Sequence, residues 1–159
     1  MALMIGVGLV ALLLDTLTKL AAAYALHGTV VVFRGLLELR LTRNTGMALG
    51  ILSDNAVANC VLPLVVMVCG YLMLRKYHMT AFTYGATGLV VGGFLGNFIQ
   101  RLLNGYVLDM IYFPFMPWFV CNVADVAICA GVVMLGVSLL LRPKDWRERD
   151  AANHQDRAK

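Results

Sequence analysis

The chain has 159 residues, 60% of them hydrophobic and 14% charged, with a mean hydropathy of +0.78. A soluble domain of this length is about half apolar and about a quarter charged, so an ordinary water-soluble fold is excluded and one compact integral membrane domain is expected. The net charge of +4 does not imply a nucleic-acid partner, because six of the 13 Lys and Arg (Arg142, Lys144, Arg147, Arg149, Arg157 and Lys159) fall in the last 18 residues, where a basic tail beside a span reads as a topology signal.

Four stretches are apolar over about 20 residues, the length that crosses a bilayer. They are roughly 3–26, 56–74, 81–103 and 123–141. The first holds Asp15 and Lys19 inside its apolar run and has no Lys or Arg ahead of it, so it reads as a membrane helix and not a cleaved leader. After it, Thr29 to Phe33 is β-branched and aromatic, and Leu37-Glu38-Leu39-Arg40-Leu41-Thr42-Arg43 alternates strictly. These patterns predict two strands with a turn at Arg34-Gly35 and a second turn at Asn44-Thr45-Gly46. Open sheet edges cannot face lipid, so this small sheet is expected at the membrane surface. Pro63 predicts a kink in the second span, and Arg75-Lys76-Tyr77-His78 is a short basic connection. The segment 104–122 gathers Tyr106, Tyr112, Phe113, Phe115, Trp118 and Phe119 with two prolines, and reads as an aromatic interfacial loop. Residues 143–159 have the composition of a disordered polar tail.

The expected fold is therefore an α-helical integral membrane protein with four transmembrane helices. One domain covers 1–142, including an extracytoplasmic β region at 28–55, and a cytoplasmic tail follows. With both termini inside, the inner segments carry eight Lys and Arg and the outer segments three (Arg34, Arg40 and Arg43), which favours this orientation. Cys60, Cys69 and Cys129 read as small core residues and Cys121 as more exposed, with no disulfide or zinc framework.

Polar residues converge at the outer boundary of this topology. The third span exits there and the fourth enters, which brings Asp109 and Asp125 to one depth. Lys19 lies a turn nearer that boundary than Asp15, on the same helix face. Asn97 and Arg101 share a face at the outward end of the third span, Asn122 neighbours Asp125, and Asn44 closes the predicted sheet. Each has a structural reading: Asp15 with Lys19 as a packing ion pair, Arg101 as a snorkelling cation, Asp125 as a helix cap, Asp109 as a loop carboxylate. Gly88, Gly92 and Gly96 form a small-residue ridge for close helix packing, while Gly93 beside them is assigned to a substrate groove.

Carboxylates in such apolar surroundings are costly and mark functional sites. Two that share a site cannot both ionise comfortably, so one keeps a proton and the pair titrates as a unit. That suits peptide hydrolysis: one member takes a proton from water while the other polarises the scissile carbonyl. No metal, cofactor or covalent intermediate is required. A small proton-coupled transporter is the rival class, but it should distribute its polar groups across the membrane and often shows internal repeats.

The motifs carry a resemblance. Asp15-Thr16-Leu17-Thr18-Lys19, Asn44-Thr45-Gly46-Met47-Ala48, Gly92-Gly93-Phe94-Leu95-Gly96-Asn97 followed by Arg101, Gly105-Tyr106-Val107-Leu108-Asp109 and Asn122-Val123-Ala124-Asp125 occur in the order and membrane context of the lipoprotein signal peptidases (signal peptidase II). The resemblance implies that Asp109 and Asp125 are the catalytic dyad. It implies that Asn97, Arg101 and Asn122 hold substrate backbone or lipid, with Asp15, Lys19, Asn44 and Gly46 in support. The implied partner is a lipid-modified prolipoprotein, cut before its diacylglyceryl cysteine by a monomeric enzyme of the bacterial inner membrane. The active site would lie near the outer leaflet, in contact with membrane lipid. Gln100 departs from the family, which has Asp there. An amide keeps a hydrogen bond but not the charge, so the orientation of Arg101 or Lys19 is expected to be affected. Met110 and Leu49 stand where the family often has aromatics.

Overall fold

Four helices and a four-stranded sheet make up the structure, a computed structural model that describes residues 1–46 and 56–148. In chain order they are α1 (Ala2–Ala25), β1 (Val30–Phe33), β2 (Leu37–Asn44), α2 (Ala56–Leu74), α3 (Ala81–Asn104), β3 (Val107–Tyr112), β4 (Val120–Cys121) and α4 (Val123–Leu141). Among the described residues, α1, α3 and α4 are long and apolar enough to cross a membrane. α2 is an apolar helix of 19 residues that continues through Pro63. Leu9, Leu13 and Leu20 on α1 and Leu139, Leu140 and Leu141 on α4 are exposed, as expected of side chains whose solvent is lipid.

Helix ends matter in such a chain, because an unsatisfied N–H in lipid costs several kcal/mol. α3 and α4 both start with reciprocal caps. The Thr80 hydroxyl accepts from the Thr83 N–H while the Thr83 hydroxyl receives the Thr80 N–H. At α4, Asn122 and Asp125 do the same. α3 ends at Gly105, whose φ of 76° is the left-handed conformation that favours glycine.

α3 is the central helix, packed along both α1 and α4. The glycine ridge makes this possible. A Cβ on Gly88 would lie 2.6 Å from the Met4 carbonyl oxygen, and one on Gly92 would collide with the backbone of Gly8. Gly96 faces the Asp15 carboxylate. The assignment of Gly93 to a substrate groove is corrected: a side chain there would strike the Ala124 carbonyl, so Gly93 seats α4 against α3.

The sheet differs from the expectation in its origin. It runs in the order β1-β2-β3-β4, all antiparallel. β1 and β2 come from the predicted region 28–55, with Gly35 at φ 75° in the turn between them. β3 and β4 come from 104–122, where the composition predicts an aromatic interfacial loop. Residues Val107 to Met110 are all buried, so both faces are covered and the period-two alternation that announces a half-exposed strand is missing. Phe113, Phe115 and Phe119 still form an aromatic cluster between β3 and β4. Met47, Ala48 and Leu49 lie outside the described residues.

The far end of the bundle is closed by residues expected to be disordered. Pro143–Trp146 is a 3-10 turn. Asp145 is buried, accepting from Ser138 Oγ at 2.7 Å and Arg142 Nε at 2.8 Å. Burial opposes its charge, but hydrogen bonds from Ser138, Arg142 and Thr80 prevail and hold its carboxyl below the usual range. Trp146 packs edge-on against Tyr77, and the His78 N–H donates to the Arg147 carbonyl at 2.8 Å. Apolar and hydrogen-bonded anchors thus fix 143–148, which composition alone placed in a solvated tail.

The cysteine expectation also reverses. The four are free thiols, yet Cys121 is buried within β4 while Cys69 and Cys129 are exposed. A thiol on an outward helix face is at no disadvantage when the surroundings are hydrocarbon.

Gly92→Val is expected to destabilise the fold by about 1–3 kcal/mol through overpacking against α1. Gly136→Ala, where a Cβ meets nothing within 4 Å, is expected to be neutral. Thermal unfolding in detergent compares the two.

Candidate active site

The sheet meets the ends of α1, α3 and α4, and all ten residues singled out in the sequence gather there. Asp109 sits on β3 at 1% exposure. Antiparallel pairing sets Asn44 opposite Val107. Asn44 Nδ2 donates to Asp109 Oδ2 at 2.9 Å, and Asn122 Nδ2 donates to Asp109 Oδ1 at 2.6 Å. Asp125 is the third residue of α4, where its Oδ2 accepts the Asn122 backbone N–H at 3.1 Å. Its Oδ1 accepts from Asn97 Nδ2 at 2.7 Å.

Two side-chain amides therefore tie the acids together. Asn122 Nδ2 reaches Asp109 and also the Asn97 Oδ1, at 3.1 Å, and Asn97 passes its own N–H to Asp125. Lys19 Nζ donates to the same Asn97 oxygen at 2.8 Å and pairs with Asp15 at 2.7 Å. Both Asp15 and Lys19 are buried, so neither charge is tolerable alone. Asp15 also accepts the Ala124 N–H at 2.9 Å, so α1 caps the helix that bears Asp125. Arg101 donates to the Gly46 carbonyl at 3.3 Å, and the Gly46 N–H returns to Asn44 Oδ1 at 3.0 Å. Gln100 departs from expectation. Its Oε1 accepts the Leu108 N–H at 2.8 Å, so it addresses β3 and not Arg101 or Lys19.

Asp109 and Asp125 line one cavity of about 460 Å³, together with Asn44, Asn97, Arg101 and Asn122, and with Trp118 and Phe119 from the aromatic segment. A smaller space of about 200 Å³ among α2, α3 and α4 also reaches Asp125. A larger groove of about 550 Å³ between α1 and α4 is lined only by apolar residues and offers no chemistry.

Burial pushes the Asp109 carboxyl up to about 6, with the Asp125 charge adding to the rise and the bonds from Asn44 and Asn122 and the Lys19 charge opposing it. Burial, with Asp125 and Asp109 nearby, also pushes the Cys121 thiol up to about 12, so it stays protonated and is no nucleophile. Among the described residues, no cluster of His, Cys, Asp or Glu has the make-up of a metal site.

One contributor escaped the sequence reading. Asn59 on α2 is 2% exposed and donates to the Thr45 carbonyl at 2.7 Å, next to Gly46. A lone amide in an otherwise apolar span was the available signal.

Apolar helices long enough to span a bilayer, with two amide-linked carboxylates at one end of the bundle, define a multi-pass membrane protein with an aspartic-type site. Comparison with known proteins agrees. The profile described as Signal peptidase (SPase) II matches residues 7–141. A lipoprotein signal peptidase of Streptococcus pyogenes serotype M2 is 33% identical over 143 residues, covering 88% of this chain and 90% of the relative. One from Enterococcus faecalis is 34% identical, covering 72% of this chain and 71% of the relative. A solved bacterial membrane enzyme superposes with a TM-score of 0.78 at 25% identity, covering 94% of each chain. The chain belongs to the signal peptidase II family, the aspartic-type peptidases of lipoprotein processing.

Asn122→Ala removes the α4 cap and the donor to Asp109 together. A lost cap alone costs about 1 kcal/mol. The variant is expected to unfold at a lower temperature than Asn122→Ser, which keeps a capping oxygen without adding charge, as measured by thermal unfolding in detergent.

Proposed function

We propose that this chain is the endopeptidase that removes the signal peptide from diacylglyceryl-modified prolipoproteins, cutting just before the lipidated cysteine, with Asp109 and Asp125 as the catalytic pair. The observation that carries this reading is the shared cavity in which Asn97 and Asn122 join the two acids. α2 is the fourth span, both termini lie in the cytoplasm, and the sheet end faces the outer leaflet of the bacterial inner membrane. The sheet then rests at the interface, with Arg40 stacked 3.5 Å over the Tyr112 ring and Arg43 beside Tyr106. The polar groups of the site cluster at this one end, which suits a hydrolase opening to the leaflet better than a transport path.

In the proposed reaction the two acids share one proton. Asp125 stands in the first turn of α4, and Arg101 lines the same cavity. Asp109 is the more deeply buried and holds the proton. A water placed between them gives a proton to Asp125 and attacks the scissile carbonyl, which Asp109 polarises by donating its own. The tetrahedral intermediate collapses when Asp125 returns a proton to the leaving amine and Asp109 takes its own back as the carbonyl re-forms, and the peptide C–N bond breaks. Asn44, Asn97 and Asn122 fix both carboxylates in the geometry the step needs. Arg101 and Asn97 face the same cavity and are placed to receive substrate carbonyl or glycerol-ester oxygens.

Asp109→Asn and Asp125→Asn are each expected to lower cleavage by at least about a thousandfold while the protein stays folded and membrane-inserted. A mobility shift of a diacylglyceryl prolipoprotein incubated with purified enzyme reads this out, and full activity in either variant would remove the hydrolase reading.

The pH dependence has a defined sign. A proton held by Asp109 is present below its pKa and lost above it, so kcat/KM should fall as pH rises through about 6. The Asn44 donor favours the ionised form. Asn44→Ala should therefore move that limb to higher pH, and pH–rate profiles of the two enzymes test it.

A further inference from the structure

Gln100 follows Asn97 by one turn of α3, and among the described residues its side chain makes one hydrogen bond: Oε1 accepts the Leu108 N–H at 2.8 Å. Leu108 is buried and immediately precedes Asp109. β4 pairs with β3 only at Ile111 and Tyr112, beyond Asp109. On its other edge β3 pairs with β2 in register at Val107, Leu108 and Asp109. On the β4 side, among the described residues, the stretch that carries Asp109 has no strand partner, and a helix side chain supplies the acceptor that a neighbouring strand would otherwise provide.

The charges around Asp109 come from every element packed on it. Asp15 and Lys19 belong to α1, Arg43 to β2, Arg101 to α3 and Asp125 to α4, and Cys121 on β4 is a neutral thiol. Asp15 is offset by Lys19. With one proton on the acid pair, its remaining charge is offset by Arg101. Arg43 is exposed at the rim. The buried set is thus neutral, and a carboxylate at position 100 would unbalance it.

We infer that Gln100 is a positioning residue for Asp109, a neutral acceptor that fastens β3 to α3 without placing a third acid beside the catalytic pair. This rests on the assignment of Asp109 and Asp125 as that pair. Two properties of the side chain separate cleanly. The Leu108 N–H requires only an acceptor, which Gln100→Glu retains at the same length. Neutrality is what that change removes, and the acceptor is what Gln100→Leu removes.

The test compares wild type, Gln100→Leu and Gln100→Glu by kcat and KM across pH on a diacylglyceryl prolipoprotein, and by amide hydrogen exchange at Leu108. Gln100→Leu is expected to lower kcat by up to about a hundredfold, through misplacement of Asp109, with KM little changed. Its Leu108 amide should exchange faster. Gln100→Glu is expected to keep that amide slow and to retain kcat below the alkaline limb. Its alkaline limb should move to higher pH, because an added negative charge makes the shared proton harder to remove. If Gln100→Leu does not fold, the Gln100→Glu profile decides. An unchanged Leu108 exchange rate in Gln100→Leu overturns the contact whatever the activity. A Gln100→Glu profile that coincides with wild type overturns the charge argument. Wild-type enzyme that leaves the prolipoprotein uncut defeats the proposed function instead, and the exchange result still stands on its own.

Discussion

The hydrogen bond between the side chains of Asn97 and Asn122 is the contact on which the site depends. A buried pair of acids repels itself, and water is too scarce at a helix-bundle interior to screen the repulsion. Two amides resolve this. Each offers N–H groups to a carboxylate and an oxygen to a neighbour, so they connect Asp109 to Asp125 without adding charge. Lysine or arginine in those places would neutralise the acids and end any shared-proton chemistry. Apolar residues would leave buried carboxylate oxygens unpaired, which is costly.

That contact requires α1, α3 and α4 to approach closely, and glycine is how they do. Gly8 and Gly92 set the α1–α3 distance, and Gly93 sets the α3–α4 distance. Gly96 leaves the space occupied by the Asp15 carboxylate. In lipid there is little hydrophobic drive for helices to associate, so backbone proximity and interhelical polar bonds take that role. Here one set of residues provides both. Lys19 reaches Asn97 because the glycines let it, and Asp15 reaches the first turn of α4 for the same reason.

The two ends of the bundle solve the same problem differently. At the far end, a short turn after α4 closes onto the α2–α3 connection through Asp145, Trp146 and Arg147. Its polar groups are satisfied among themselves. At the other end, the polar groups line a cavity, and Arg101 Nε there has no hydrogen-bond partner among the described residues. Two connections that are separate in sequence merge there into one sheet, which removes edges that neither hairpin could hide alone.

Much of this was legible in the chain. Apolar run length gave the helices to within a residue or two, and strict alternation gave β2. Asp125 in the first turn of the fourth apolar run announced a capped helix start, whereas Asn122 as the reciprocal cap came from the structure. Polar residues in apolar runs announced the site. β3 was not legible, because a strand buried on both faces has no alternation to read. The order in 143–148 was not legible either, because composition says nothing of a buried Asp145. Gly93 was misassigned because a glycine's partner lies on another helix. The sequence alone determined which groups are available and at what depth, since cost of burial in lipid selects them one by one. Only the tertiary structure decided which of them touch: strand register and helix packing join residues far apart in the chain, and no local pattern encodes that pairing.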